Sequence, residues 1–155
     1  MSEAADVGFI RVVFPLEQDE EGYPPFAEEA LHARILSDSV CELVSIPFFV
    51  EGVSKGDLVS YSAGGAGEFE FEELLSVRGH STLRIIFFDG SRIEELVRQL
   101  QEVGCSTESG RVQDLMSVDI PPGVEYRSVM SLIEAGLSSE LWDYEESCIA
   151  QGHRM

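Results

Sequence analysis

The sequence feature that most constrains the fold is a largely apolar segment of strand length, Leu83 to Phe88, followed closely by a helical pattern. Ser91 and Glu94 have the spacing of a capping box, and apolar residues recur at helical intervals from Ile93 to Val103. Gly104 stands where a helix C-terminus favours glycine. The pattern therefore predicts a central strand and then an amphipathic helix.

The rest of the second half continues this alternation of strands and helices. Cys105 to Glu108 and Val112 to Ile120 predict a hairpin. A second amphipathic helix has its apolar stripe between Tyr126 and Ile133 and its predicted stop at Gly136, and Leu141 to Ile149 predicts a last strand. The element order is β-α-β-β-α-β, which predicts a ferredoxin-like arrangement.

The first half has the short alternating segments and turn residues typical of β structure. Phe9 to Phe14 predicts a strand, and residues 27–36 and 39–46 predict a hairpin, although 27–36 also fits one or two helical turns. Leu58-Val59 predicts another strand, and Glu68 to Phe71 alternates so strictly that both Phe share one face. We expect about five antiparallel strands in a small barrel-like sheet.

Two subdomains are predicted within an α+β fold, a β-rich one over residues 1–80 and a ferredoxin-like one over residues 81–155. Arg78-Gly79-His80 is the best candidate for the junction, and no long linker separates the halves. Since each half has only roughly 75 residues, we expect the two to share an interface and to unfold together as one compact unit.

Charge is the unusual feature of the composition. The chain has 29 acidic and 10 basic residues, a net charge of −19, and Lys55 is its only lysine. Contacts to phosphates need clustered Lys and Arg, so direct nucleic-acid binding is disfavoured. An acidic surface suits a basic protein partner, and it equally suits a soluble protein whose charge has no partner.

Neither a metal site nor a cofactor is predicted. Cys41, Cys105 and Cys148 are far apart and lack CxxC or Cys/His spacing, so we expect buried free thiols. The three histidines show no metal-binding pattern.

A cytoplasmic location is the expectation for this chain. Residues 1–6 lack the basic and apolar regions of a secretory signal, and no apolar run is long enough to span a bilayer. No membrane contact is therefore expected.

The segment at the start of the central strand contains the candidate ligand-binding residues. Adjacent strand residues point to opposite faces, so His80 and Ser81 cannot form a base and nucleophile pair. His80 can share a face with Thr82 or Arg84 and bind a small anion, with Tyr126 as a further contact. Structural hydrogen bonding explains the same residues without a ligand. No catalytic residue is predicted.

The candidate partner-binding residues form one C-terminal string: Trp142, Asp143, Tyr144, Glu145 and Glu146. Aromatic rings beside carboxylates suit the binding of Arg or Lys side chains through cation–π contacts and charge-assisted hydrogen bonds. An edge strand whose aromatic residues face the core is the alternative.

Several strings in one order resemble a bacterial family catalogued as domain of unknown function 4265. They are Arg11 to Leu16, Gly22 to Phe26, Ile46 to Val50 with Gly52-Val53 and Gly56-Asp57, Gly79 to Arg84, Val118 to Pro122, and Trp142 to Glu146. The resemblance covers nearly the whole chain and implies a bacterial cytoplasmic protein forming one small unit. It implies no activity, and the chain departs from the family pattern at Ser54-Lys55.

Three functions remain open from the sequence. The first is an acidic protein-binding module, of the type of immunity proteins or inhibitors, that docks on a basic protein partner. The alternative is a small-molecule-sensing regulatory domain, and the third is an enzyme of unrecognised type.

Overall fold

A computed structural model describes residues 8–109 and 112–154, and the structural statements below refer to these residues. The chain divides into two compact units, Met1–Arg78 and Gly79–Met155. The fold is α+β with two sheets and two α-helices, which confirms the predicted class. Residues 1–6, which bear on the predicted location, lie outside the described residues. None of the described helices has the length and hydropathy of a membrane span.

The first unit contains one five-stranded sheet. Its strands are β1 (Phe9–Pro15), β2 (Glu28–Ile35), β3 (Val40–Leu43), β4 (Leu58–Ala63) and β5 (Phe69–Ser76). They pair in this order, and β1 also pairs with β5 in parallel, so the sheet closes on itself. Ile35 lies opposite Cys41 in the β2–β3 pair. The predicted hairpin is therefore confirmed, and the helical alternative for residues 27–36 is wrong.

Alternate residues of the strands form the core of this unit. Val12 and Phe14 of β1, Leu31 of β2 and Val59 of β4 are buried together. Because successive strand residues point to opposite faces, their neighbours are more exposed.

A buried carboxylate anchors the loop between β3 and β4. Glu29, on β2, is 1% exposed. It accepts backbone N–H bonds from Phe48, Phe49 and Val50 at 2.9, 2.9 and 3.0 Å. The loop's amides thereby gain the partners that burial requires. The sequence did not predict this contact.

The second unit is a four-stranded antiparallel sheet with two helices. Its elements are β6 (Ser81–Phe87), α1 (Ile93–Glu102), β7 (Ser106–Ser109), β8 (Leu115–Ile120), α2 (Tyr126–Ser138) and β9 (Trp142–Cys148). The strand order β7-β8-β6-β9 places β6 inside the sheet, as predicted. Leu83 and Ile85 of β6 share one core with Leu96 and Leu100 of α1 and Ile133 of α2.

The start of α1 differs from the prediction. The chain first makes a 3-10 turn, Gly90–Arg92, so the α-helix begins at Ile93 and Ser91 is not its N-cap. Asp89 caps the turn by accepting bonds from the backbone N–H and Oγ–H of Ser91 at 3.0 and 2.7 Å. These bonds, the side-chain bond first, lower the pKa of Asp89. The predicted glycine after the helix is confirmed, because Gly104 has φ of +106°.

Gly136 does not end α2, which continues to Ser138. The glycine lies buried inside the helix and faces the indole of Trp142. A Cβ at this position would overlap Cζ2, Cε2 and Cη2 of the ring. The residue is therefore a site of close packing between α2 and β9, and the prediction that it stops the helix is wrong.

The thiols provide a first prediction about reactivity. Cys41 and Cys105 are buried and free, as predicted, and Cys148 is half-buried. Burial raises the pKa of Cys41 to about 11 and that of Cys105 to about 12, so thiolate is scarce at pH 8. We expect iodoacetamide to label Cys148 first in the native protein, as followed by peptide mass mapping. Labelling of Cys41 or Cys105 as fast as Cys148 would contradict this description.

Candidate functional site

His80 and Thr82 come together around one buried carboxylate. His80 Nδ1 lies 2.8 Å from Oδ1 of Asp119, a β8 residue that is 1% exposed. Thr82 is the register partner of Asp119, and Ser106 Oγ lies 3.5 Å from its Oδ2. Asp119 is therefore the residue that links these candidates.

Arg84 is held by an ion pair in the sheet. Its side chain is buried, and its Nε donates to Oε1 of Glu145 at 3.0 Å. The register places Arg84 between Ser117 on β8 and Glu145 on β9. A buried guanidinium needs such a partner, so this pair has a structural role.

Tyr126 lies on the other side of the sheet from Thr82 and Arg84. It belongs to the core that contains Leu83, whose side chain points away from both of them. Its hydroxyl donates to the carboxylate of Glu146. Burial, followed by this hydrogen bond and the charge of Glu146, raises the pKa of Tyr126 well above its ordinary value. The four predicted ligand residues therefore do not form one cluster.

A hydrogen-bonded bridge that the sequence did not predict joins β6 to the C-terminal segment. Ser81 Oγ lies 2.5 Å from Nδ1 of His153 and accepts the N–H of Ala150 at 2.8 Å. His153 Nε2 lies 2.9 Å from the carbonyl of Pro121. A carbonyl only accepts, so Nε2 carries the hydrogen, and in the neutral ring Nδ1 then accepts from the hydroxyl of Ser81. Both ring nitrogens are thus engaged, and we call this contact the Ser81–His153 bridge.

The bridge has a structural role. Ser81 is 0% exposed and His153 is 4% exposed, so no substrate reaches the serine hydroxyl. The two residues are far apart in sequence, and no local motif indicates their contact. Its consequence is a fixed position for the residues around His153.

Trp142, predicted to contact a partner, lies in the core. Its ring meets Phe87 edge to face at 5.7 Å, and Nε1 donates to the carbonyl of Ile133 at 2.9 Å. The indole is 6% exposed, so its face is not available for a cation–π contact. Trp142 therefore matches the alternative interpretation, in which the aromatic residues of this edge strand face the core.

Tyr144 occupies a different environment at the edge of the sheet. It is half-buried on the edge strand β9. Partial burial raises its pKa, and the negative charges of Glu146, Glu134 and Asp143 raise it further. Asp143 Oδ1 accepts the backbone N–H of Tyr144 at 2.8 Å. We call Tyr144, Asp143, Glu146 and Glu134 the Tyr144 cluster.

The cluster is open to charged groups from outside. Glu134 of α2, which the sequence analysis missed, and Asp143 are exposed. Neither forms an ion pair with any residue in the described part of the chain. An exposed position on a second helix gave no sequence signal that Glu134 would join residues of β9.

Comparisons with known proteins concern the fold and the family. A family model described as "Domain of unknown function (DUF4265)" matches residues 29–144. A crystal structure described as that of a hypothetical protein from Neisseria gonorrhoeae is similar, with a TM-score of 0.74 and 20% sequence identity. The similarity covers 91% of this chain and 96% of that chain. No curated protein gives a significant match.

Proposed function

Since this chain belongs to the DUF4265 family, whose description states no activity, we propose a function from the site itself. The protein is an acidic protein-binding module, of immunity or inhibitor type, that docks on a basic protein partner. The observation that carries this proposal is the Tyr144 cluster, in which a half-buried ring on the edge strand β9 lies within electrostatic reach of three carboxylates. Two of them, Glu134 and Asp143, form no ion pair within residues 8–109 and 112–154.

The chemistry of the cluster fits an arginine or lysine side chain. A cation over an aromatic ring is attracted by the negative face of the ring, and nearby carboxylates add charge-assisted hydrogen bonds. Glu145 and Glu146 accept bonds from the side chains of Arg84 and Tyr126, and Asp143 Oδ1 accepts the backbone N–H of Tyr144, so Glu134 is the carboxylate with the most free acceptor capacity among these four. The sequence assigned the cation–π contact to Trp142 and Tyr144 together. Because Trp142 is buried, Tyr144 is the ring of this pair that contacts the cation.

The overall charge favours the same kind of partner. A net charge of −19 attracts a basic protein over a distance of about a Debye length and makes the association sensitive to salt. Complementary charge affects the association rate and the choice of partner more than the final affinity. The proposal therefore includes fast, salt-dependent binding.

We also infer the finer fold and location from supporting features. The parallel β1–β5 pair supports a barrel-like first unit, and the order β7-β8-β6-β9 with the sequence β-α-β-β-α-β supports a ferredoxin-like second unit. Free thiols at Cys41, Cys105 and Cys148 support a reducing, cytoplasmic setting.

A titration with a defined cationic probe tests the Tyr144 cluster. We expect a peptide with three arginines to shift the amide resonances of Asp143, Tyr144 and Glu134 in two-dimensional NMR spectra. A peptide of the same length with citrulline, which is uncharged, is expected to leave them in place. The double substitution Glu134→Gln and Asp143→Asn should lower the affinity for the arginine peptide about fivefold, because it removes two surface charges.

The matched control removes the same charge elsewhere. Glu72 and Glu73 are exposed on β5 of the first unit, and their change to glutamine should leave the affinity within a factor of about two. Equal weakening by both double variants would show that net charge alone binds the peptide, and the proposed site would be abandoned.

A further inference from the structure

A groove with a volume of about 300 Å³ lies at the end of the second unit where α2 begins. One wall is the turn Pro122 to Glu125 with Tyr126 and Arg127, and the other is Gly152 to Arg154. This volume lies at the lower end of the range for small-molecule sites. The groove contains none of the residues of the Tyr144 cluster, and its one direct link to that cluster among the described residues is the bond from Tyr126 to Glu146.

Two arginines that form no ion pair with a described carboxylate line this groove. Arg127 and Arg154 are exposed, and neither forms an ion pair with any residue that the structure describes. Four described arginines, Arg34, Arg84, Arg92 and Arg98, form ion pairs, whereas Arg127 and Arg154, like Arg11 and Arg78, form none with described residues. In a chain with a net charge of −19, two guanidinium groups without a described ion pair, beside the single carboxylate of Glu125, give the lining of this groove a net positive charge.

Buried contacts hold both walls in place. The Ser81–His153 bridge fixes the residue next to Arg154, and the rings of His153 and Tyr126 stack with centroids 6.0 Å apart. Tyr126, beside Arg127, is held in turn by its bond to Glu146. The arginines therefore extend from anchored positions, which lowers the entropy cost of binding.

The backbone of the groove is accessible. A Cβ added at Gly123 or Gly152 would meet no atom within 4 Å, so open space lies beside both glycines. Glu125 also lines the groove and supplies a hydrogen-bond acceptor. A ligand that satisfies all these groups has an anionic group for the arginines and a hydroxyl for Glu125.

We propose that this groove binds a small hydroxylated organic anion, with Arg127 and Arg154 as the residues that contact its phosphate or carboxylate. Guanidinium groups bind both oxyanions through paired hydrogen bonds, so the two ligand chemistries share the same residues. Tyr126 stands next to Arg127 on one wall and His153 stands next to Arg154 on the other, and the Ser81–His153 bridge positions the second wall.

NMR titrations with glycerol 3-phosphate and with malate, at constant ionic strength, test the proposal. We expect saturable shifts of the Gly123 and Gly152 amides with at least one probe, and the stronger probe identifies the oxyanion. Arg127→Gln and Arg154→Gln should each weaken binding at least about tenfold, because each removes a charge-assisted contact.

Arg98→Gln is the matched control, since Arg98 is an exposed arginine of α1 outside the groove. It should leave the affinity unchanged within a factor of about two. The proposal is overturned if neither probe gives saturable shifts, or if all three variants bind equally. Because the Tyr144 cluster has other residues, failure here leaves the docking proposal standing.

Discussion

Replacing Gly136 with alanine is expected to destabilise the protein by about 3 kcal/mol or more. The added Cβ would overlap three atoms of the Trp142 ring, and that ring is held by Phe87 and by the bond from Nε1 to the carbonyl of Ile133. Because these two contacts hold the ring in place, we expect the added methyl group to push α2 and β9 apart.

Urea unfolding followed by far-UV circular dichroism measures this effect. Gly123→Ala is the control, because a Cβ there meets no atom within 4 Å and the change should cost less than about 1 kcal/mol. The second test is the double variant Gly136→Ala with Trp142→Phe, which removes the overlapping ring atoms. The double variant should lose clearly less free energy of unfolding than the two single variants lose in sum. Additive losses would contradict the described contact.

Replacing Glu29 with alanine is expected to have the second large effect, because it should lower the free energy of unfolding by roughly 3–5 kcal/mol. The change removes the acceptor of three backbone N–H groups, at Phe48, Phe49 and Val50, in a buried loop. Each buried N–H left without a partner costs about 1–3 kcal/mol, and partial access of water lowers the sum. The loss should appear as a lower urea midpoint with little change in slope.

Glu28→Ala is the matched control, since Glu28 is the preceding residue on β2 and is exposed. It should change stability by less than about 0.5 kcal/mol. Equal effects of the two substitutions would show that the Glu29 carboxylate does not stabilise the loop.

Fluorescence of Trp142, in the second unit, tests the prediction that both units unfold together. The unfolding transition followed by fluorescence should coincide with the transition followed by circular dichroism.

Local patterns predicted the elements of both units well. The run from Leu83 to Phe88 became the inner strand β6, and the periodic residues after it became α1, because both patterns depend on neighbours in sequence. The start of α1 was displaced because Asp89, not Ser91, caps the chain at the turn. Gly136 was misassigned because glycine occurs both at helix ends and at sites of close packing inside helices. The spatial contact with Trp142, which the local sequence does not show, identifies Gly136 as a packing site.

The candidate sites depended on contacts that sequence separation hides. Ser81 meets His153, Glu29 meets the loop after β3, and Glu134 joins Tyr144 only once α2 and β9 are folded. Alternation along β6 did separate His80 from Ser81, since one contacts Asp119 and the other His153. Composition alone could not choose between Trp142 and Tyr144 as the ring available to a partner.

Affinity capture from a lysate of the host organism tests the docking account most directly. Three tagged proteins are compared at low and high salt: wild type, the Glu134→Gln and Asp143→Asn variant, and the Glu72→Gln and Glu73→Gln variant. The account predicts one basic protein in stoichiometric amount, retained by wild type and the β5 variant, released by salt, and largely lost by the variant in the Tyr144 cluster. Retention of the same proteins by all three, or of no basic protein by wild type, would contradict it.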